Sequence, residues 1–367
     1  MGELVLDSST HTFSEMEDKY QHYLAPGYEV YIEGSGLTAS GVGVTSVTVD
    51  TSVEKADTFS FAVGNAFNVE SRQFEWVNTY FTVGKKVEIK MGYVDTMETV
   101  FSGLVTSTRF DFPQDGPPRV IVSGMDKSFK MMKGIKSRSW LDKTHSDVAS
   151  IIASENGLSA VTDSTAAVYK IVEQSRTTDY QFMIWLASEN NYEFFVLGDK
   201  MYFRKPNRTT TPVITLAYGR NIISASIEVD LADQVTGVTV RGWDMSRKQE
   251  ISQKSGSVTI LGNGSKTGAS ILSGSCGISA LEYVYTNDIS ANEAKNRADA
   301  ILNEKAMKLI SGHVEIFGIP EVRAGRHVKL EDMGGFLNNT FYIKSASHTI
   351  DDTGYTTNLS IAGNAIT

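Results

Sequence analysis

The hydrophobic positions of this chain change period several times along its length. From Phe13 the spacing is helical, with Phe13, Met16 and Tyr20 on one face and Thr12 and Glu15 placed to form a capping box. Pro26-Gly27 ends that segment, so residues 1–26 read as an N-terminal arm. From residue 28 to 125 the period is two. Thr45, Val47 and Val49 share one face and Val44, Ser46 and Thr48 the other, while Phe59, Phe61 and Val63 line up, as do Val87 and Ile89. Short strands separated by glycine turns predict an antiparallel barrel or sandwich, with the Trp76 region packing across one end.

The pattern then becomes mixed. Thr144 or Ser146 can cap a helix carrying Val148, Ile151 and Ile152, which Gly157 ends. Thr178 and Gln181 form a second capping box, followed by Phe182, Trp185, Leu186 and Glu189 at helical spacing. Tyr192 to Leu197, a Gly198-Asp199 turn and Met201 to Phe203 read as a hairpin, and Thr209 to Pro212 as a linker. Ile223, Ala225, Ile227 and Val229 return to strand alternation, followed by Val238 and Val240. Residues 252–279 are dominated by Gly and Ser and predict a flexible loop or short exposed hairpins, with ordering on a partner as the functional use. Ser290 and Glu293 cap a helix with Ala294, Ala298, Ile301 and Leu302 on its core face. From residue 311 the chain is β again, with Asp352 to Gly354 as a tight turn.

Composition narrows the classes. The chain has 367 residues, 41% hydrophobic, enough for several domains with ordinary globular cores. Its net charge of −9 argues against nucleic-acid binding, which rests on basic surface. Cys276 is the only cysteine, so neither an internal disulfide nor a cysteine metal cluster is available, which fits a reducing cytoplasm. The first ten residues lack the features of a secretory signal, and no apolar run is long enough to span a bilayer.

Catalytic and cofactor patterns are missing. The six histidines are scattered, outside zinc spacings, and no nucleophile elbow or Walker loop occurs. Residues 34–43 are glycine-rich but flanked by strands, His145 and Asp147 read as a cap pair, and Asp351-Asp352 as turn residues. No metal, cofactor or catalytic residue is therefore assigned. Trp243 reads as a core anchor and Tyr355 as part of an outer strand face.

Four blocks in order carry a family resemblance: residues 176–204 (RTTDYQFMIWLASENNYEFFVLGDKMYFR), 238–244 (VTVRGWD), 318–330 (GIPEVRAGRHVKL) and 341–361 (FYIKSASHTIDDTGYTTNLSI). Together they resemble the phage late-control protein D, or VgrG-like, baseplate hubs of contractile injection systems. The resemblance is strong over the last half and weak over the first third.

It implies a mainly β (α+β) fold with two tandem tube-protein-like antiparallel β-barrels, one at 27–130 and one discontinuous at 222–243 and 311–367. An outer α/β domain would take 131–221 and 244–310. It further implies a homotrimer that adapts a sixfold inner tube to a threefold spike, acting mechanically as part of a virion tail baseplate or a tail-like particle assembled in the bacterial cytoplasm. Expected partners are the tube protein, a spike, other baseplate proteins and the tape-measure protein. The chain ends directly after the hub-closing block, so the spike is expected on a separate polypeptide. Trp185, Trp243, Gly325, His348 and Tyr355 are the structural or interface candidates. The alternatives are a glycan-binding or receptor-binding tail adhesin using Tyr80, Tyr93 and Tyr355, and an envelope-degrading enzyme, for which no carboxylate pair stands out.

Overall fold

A computed structural model describes residues 4, 6, 9–206, 211–245 and 247–367. Most of the first ten residues, and Thr209 and Thr210 of the expected linker, lie outside the described residues. The protein is mainly β, 47% strand against 19% helix. Thirteen strands belong to one sheet. In space its main path runs Ile222–Val229, Ile310–Phe317, Gly354–Gly363, Thr340–Asp351, Val44–Ser52, Thr58–Val63, Arg119–Met125, Thr96–Asp111, Lys86–Tyr93, Pro26–Ile32 and Ser35–Gly36, every neighbour antiparallel. His327–Glu331 branches from Thr340–Asp351 and pairs in parallel with Ile214–Ala217. The path is open; among the described strands it does not close into a barrel.

The two β regions of the sequence meet in the middle of this sheet. Ser345–Ile350 pairs with Val47–Ser52, so Ser345 lies opposite Ser52 and Ile350 opposite Val47. Register follows from alternation: Val47 and Val49 are buried while Thr48 between them is not, and a slip of one residue would turn those valines outward. One core cluster serves both regions. Phe59, Phe61, Ile89 and Phe101 come from the first, Val314, Phe341, Leu359 and Ile361 from the second, and Trp76 and Tyr80 pack against it half-buried.

Five α-helices occur among the described residues. Helix α1 (Phe13–Lys19) starts with the expected Thr12–Glu15 capping box. Helix α2 (His145–Glu155) is capped reciprocally by Thr144 and Asp147, and α3 (Asp179–Asn190) by Thr178 and Gln181. These two cover a small sheet in which Lys200–Arg204 lies between Glu193–Leu197 and Ser159–Thr162. Their apolar stripes supply Val148, Ile152, Phe182 and Leu186 to a second core. A long two-stranded ribbon, Lys136–Thr144 with Val168–Thr177, completes this module.

Three expectations change here. Gly237–Asp244 does not join the large sheet. It pairs antiparallel with Gln249–Lys254 and parallel with Leu281–Asp288, forming a separate three-stranded sheet. The reason is its amphipathicity: Val238 and Val240 face Ala294, Ala298 and Leu302 of α5 (Ala291–Ala306), which packs on its back. The Gly/Ser segment is also not a plain loop. It begins within the strand ending at Lys254, contains the short helix α4 (Gly268–Gly274), and is pinned to the body where Leu261 N–H donates to Asn364 Oδ1 at 2.9 Å. Finally, His145 does not act in the cap. Its buried ring stacks on Tyr169, centroids 4.1 Å apart, and Nδ1 meets the Asn190 amide at 2.7 Å.

Candidate functional site

One loop, residues 318–326, leaves Ile310–Phe317, enters His327–Glu331, and touches four parts of the molecule. Its first contact is with the end of the sheet. Gly318 N–H donates to the Tyr355 carbonyl at 2.9 Å, and the Gly318 carbonyl accepts from Tyr93 Oη at 2.9 Å. A Cβ on Gly318 would lie 2.0–2.3 Å from Tyr355 ring atoms, so only glycine lets the backbone come this close. The Tyr93 and Tyr355 rings lie 5.6 Å apart. His348 Nε2 donates to the Val322 carbonyl at 2.9 Å, which leaves Nδ1 as acceptor for the Tyr355 hydroxyl at 2.9 Å and the Thr357 hydroxyl at 3.0 Å. Burial holds His348 down to about 4, so the ring stays neutral in this role.

The loop then reaches the arm and the first β region. Glu321 Oε1 accepts from Lys19 Nζ at 2.7 Å and from Tyr20 Oη at 2.8 Å, fixing the end of α1. Arg323 donates to the Val100 carbonyl at 2.9 Å and to the buried Asp57 carboxylate. Asp57 N–H in turn donates to Asp126 Oδ2 at 2.7 Å, and Asp126 Oδ1 accepts from Ser128 N–H at 2.7 Å. Arg323 pairs with Asp57, whose pKa burial raises while the guanidinium opposes the rise. Burial and the neighbouring Asp57 push Asp126 up to about 7.

The last contact is with the small α/β module. Gly325 has φ +84, a left-handed conformation that favours glycine. Its N–H donates to the Ile343 carbonyl at 2.9 Å and its carbonyl accepts from Arg204 Nη2 at 3.0 Å. Arg204 Nε also donates to Glu193 at 3.2 Å, and Glu193 accepts from the Tyr342 hydroxyl. Burial pushes Glu193 up to about 7. Such a network is costly to break, because removing one partner leaves a buried charge uncompensated. Its chemistry is positional: it holds the arm, both β regions and the α/β module in one arrangement.

Of the five residues singled out in the sequence, this loop brings together Gly325, His348 and Tyr355. Tyr355 is 4% exposed, contrary to the outer face expected for it, because it lies on the inward side of Gly354–Gly363 beneath Gly318 and against Tyr93. Trp185 and Trp243 lie elsewhere. Trp243 is 44% exposed on the outer face of the three-stranded sheet, not a core anchor, because Val238 and Val240 take the face toward α5. Tyr93 is buried as well, and Tyr80 is half-buried with its hydroxyl on Ser40 Oγ at 2.9 Å, so the aromatics expected for an adhesin are not surface groups. Sequence reading missed Asp57, Asp126, Glu193, Glu321 and Arg323. The signal for the last two was charge set among Ile319, Val322 and Ala324 between two glycines.

The surface carries three further features. Ile222–Val229 ends the large sheet, carries only the isolated Tyr218–Ile222 bridge on its outer edge, and has most of its side chains exposed on both faces. Phe67, Phe74, Phe110 and Phe112 cluster with centroids 4.9–6.2 Å apart, and Phe110 and Phe112 are exposed. Leu281, Tyr283 and Tyr285 share the outer sheet face with Trp243, and the Arg241 guanidinium sits 4.9 Å from the Tyr283 ring centroid. Among the described residues no cluster of three or more His, Cys, Asp or Glu could hold a metal ion, and no helix is long and apolar enough to cross a membrane.

Comparison with solved structures defines the class of fold. The chain is similar to the 43 kDa tail protein of prophage MuSo2 from Shewanella oneidensis, with 15% identity, a TM-score of 0.68, and coverage of 92% of this chain and 98% of that one. It is similar to a tail protein from Neisseria meningitidis MC58 at 14% identity and a TM-score of 0.68, covering 92% and 96%. It is also similar to the E. coli c3393 protein, described as a component of the type VI secretion system with structural similarity to the T4 tail proteins gp27 and gp5, at 11% identity and a TM-score of 0.56, covering 92% and 77%. The fold is thus that of phage and prophage tail proteins. Residues 24–352 match the family model described as the Alg8 N-terminal domain, and the chain belongs to that family. No curated protein matches it.

Proposed function

We propose that this protein is the structural hub of a contractile tail or injection particle, a trimeric adaptor between a sixfold inner tube and a threefold spike. The observation that carries this reading is the end-to-end likeness to a prophage tail protein, spanning 92% of this chain and 98% of the other. The late-control protein D resemblance of the sequence blocks points the same way. Each β region would serve as one tube-like barrel, the first from 27–130 and the second built from Ile214–Val229 and Ile310–Ile366. Three copies would then offer six such units to the tube.

Closing that ring needs contacts between unlike surfaces, and the free edge at Ile222–Val229 is a strand ready to pair with a neighbouring copy. The tube protein, the spike and other baseplate components are the proposed partners, and a virion tail or tail-like particle the proposed location. The work done is mechanical: the junction loop keeps the β regions aligned while load passes from tube to spike.

The test is the mass in solution, by light scattering, of the protein alone and mixed with candidate spike and tube proteins from the same source. A trimer, or a monomer that becomes a three-to-three complex with the spike, supports the hub. A monomer indifferent to both overturns it.

A further inference from the structure

An open cleft of about 760 Å³ lies between the α/β module and the three-stranded sheet, within the size range of ligand sites. Its walls are the strand Val168–Thr177, helix α3, the first turns of α5 and the chain just after Gly237–Asp244. Nothing in the junction network or the hub role uses it.

The cleft is built around Trp185, which is 45% exposed. The indole is held in place from behind: Phe182 stacks on it at 5.6 Å, and the His145 ring lies 6.0 Å away. Its outer surface is therefore a fixed apolar plate facing solvent. Four residues further along α3, on the same helix face, Glu189 pairs with Arg297 of α5 at 3.8 Å. Arg247 and Asp244 form a second pair at the rim, 3.9 Å apart. The cleft thus offers a preset aromatic plate beside carboxylates and guanidinium groups, which accept from and donate to hydroxyls.

That combination selects a ligand with apolar C–H faces and polar hydroxyl edges. The lining includes Glu173, Glu189, Asp244 and Glu293 against Lys170, Arg247 and Arg297, so there is no positive surplus to attract an anion. We propose that this cleft binds a neutral oligosaccharide, one sugar ring stacked on Trp185 and its hydroxyls shared between Glu189 and Arg297. Burial raises the Glu189 pKa while Arg297 opposes it, as expected of a carboxylate half withdrawn from water. The proposal does not depend on the hub assignment, since it concerns a surface on the outer modules.

The test uses the full chain and intrinsic tryptophan fluorescence, titrated with cellotetraose, chitotetraose and, as an acidic control, tetragalacturonate. A saturable change with a neutral tetrasaccharide is expected. Trp185→Ala should weaken that binding about tenfold or more, measured by calorimetry because the reporter is lost. Trp243→Phe, outside the cleft, should leave it unchanged. Glu189→Gln keeps the ring and the shape and should weaken binding less, which guards against a folding defect in the first variant. No saturable change with either neutral sugar overturns the proposal. So does binding of the galacturonate alone, or a Trp185→Ala variant that melts as the parent does and binds as tightly.

Discussion

The loop at 318–326 and the outer three-stranded sheet use the same side-chain types in opposite ways. In the loop, the Arg323 side chain is 12% exposed and is held against a carboxylate and a carbonyl, and Tyr355 is closed over by a glycine. In the outer sheet, the Arg241 guanidinium lies over the Tyr283 ring at 4.9 Å from its centroid, and Tyr285 stands 71% exposed. Arginine and aromatic residues that are fully satisfied inside the fold fix its geometry. Aromatic residues left exposed on a sheet face, such as Tyr285, remain available for contact. The loop is therefore where substitutions should damage the protein itself, and the outer face is where they should not.

The largest effect should come from Arg323→Ala. It strands Asp57 in the interior beside Asp126, and breaking such a pair from one side costs about 3–5 kcal/mol. Urea denaturation would read this directly, and a loss under about 1 kcal/mol would break the comparison. Gly318→Ala comes next. The added methyl has to displace the Tyr355 ring in a packed core, at a cost of about 1–3 kcal/mol. A drop in melting temperature with an unchanged far-ultraviolet spectrum is the expected signature.

A smaller effect separates the buried ionisable groups by pH. Asp126 and Glu193 are held up at about 7, so in the folded state they keep protons that the unfolded chain releases nearer 4 to 4.5. Their contribution is complete below that range and is lost as pH rises through 7. His145, His327 and His348 are held down at about 4 from an ordinary 6.5, so their contribution is present above 6.5 and is lost as pH falls through 4. Melting temperature should therefore pass through a maximum at mildly acidic to neutral pH. Asp126→Asn and Glu193→Gln should flatten the fall of about 1 kcal/mol on the alkaline side, and a profile unchanged by both would remove these carboxylates from the account. The smallest effect should be that of Tyr285→Ala on the outer sheet, within about 0.5 kcal/mol of the parent. A larger loss would mean that this face contributes to folding after all.

The helices were the most legible part of the chain. Thr12 with Glu15, Thr178 with Gln181, and Ser290 with Glu293 all form reciprocal caps, because capping depends on residues only three apart. Strand alternation at Val47 and Val49, or at Phe59 and Phe61, was equally local. Pairing was not. Gly237–Asp244 alternates like any strand, and nothing within it tells that its neighbours are Gln249–Lys254 and Leu281–Asp288. Tyr355 has polar neighbours at 353, 356 and 357 and reads as surface until Gly318 and Tyr93, far away in sequence, are brought over it. The junction was half visible for the same reason. Its glycine and histidine stood out in the motif blocks, while Asp57 and Asp126 acquire a role only when Arg323 arrives.

The pairing of Val47–Ser52 with Ser345–Ile350 also constrains how the protein is made. At elongation rates of ~5–20 residues per second, the earlier strand emerges from the ribosome roughly 15–60 s before its partner. Throughout that interval one edge of the earlier strand has no native partner, while Thr58–Val63, the partner on its other edge, is already synthesised. Nascent-chain chaperones and the spacing of polysomes would then matter to the yield of this protein more than its final stability does.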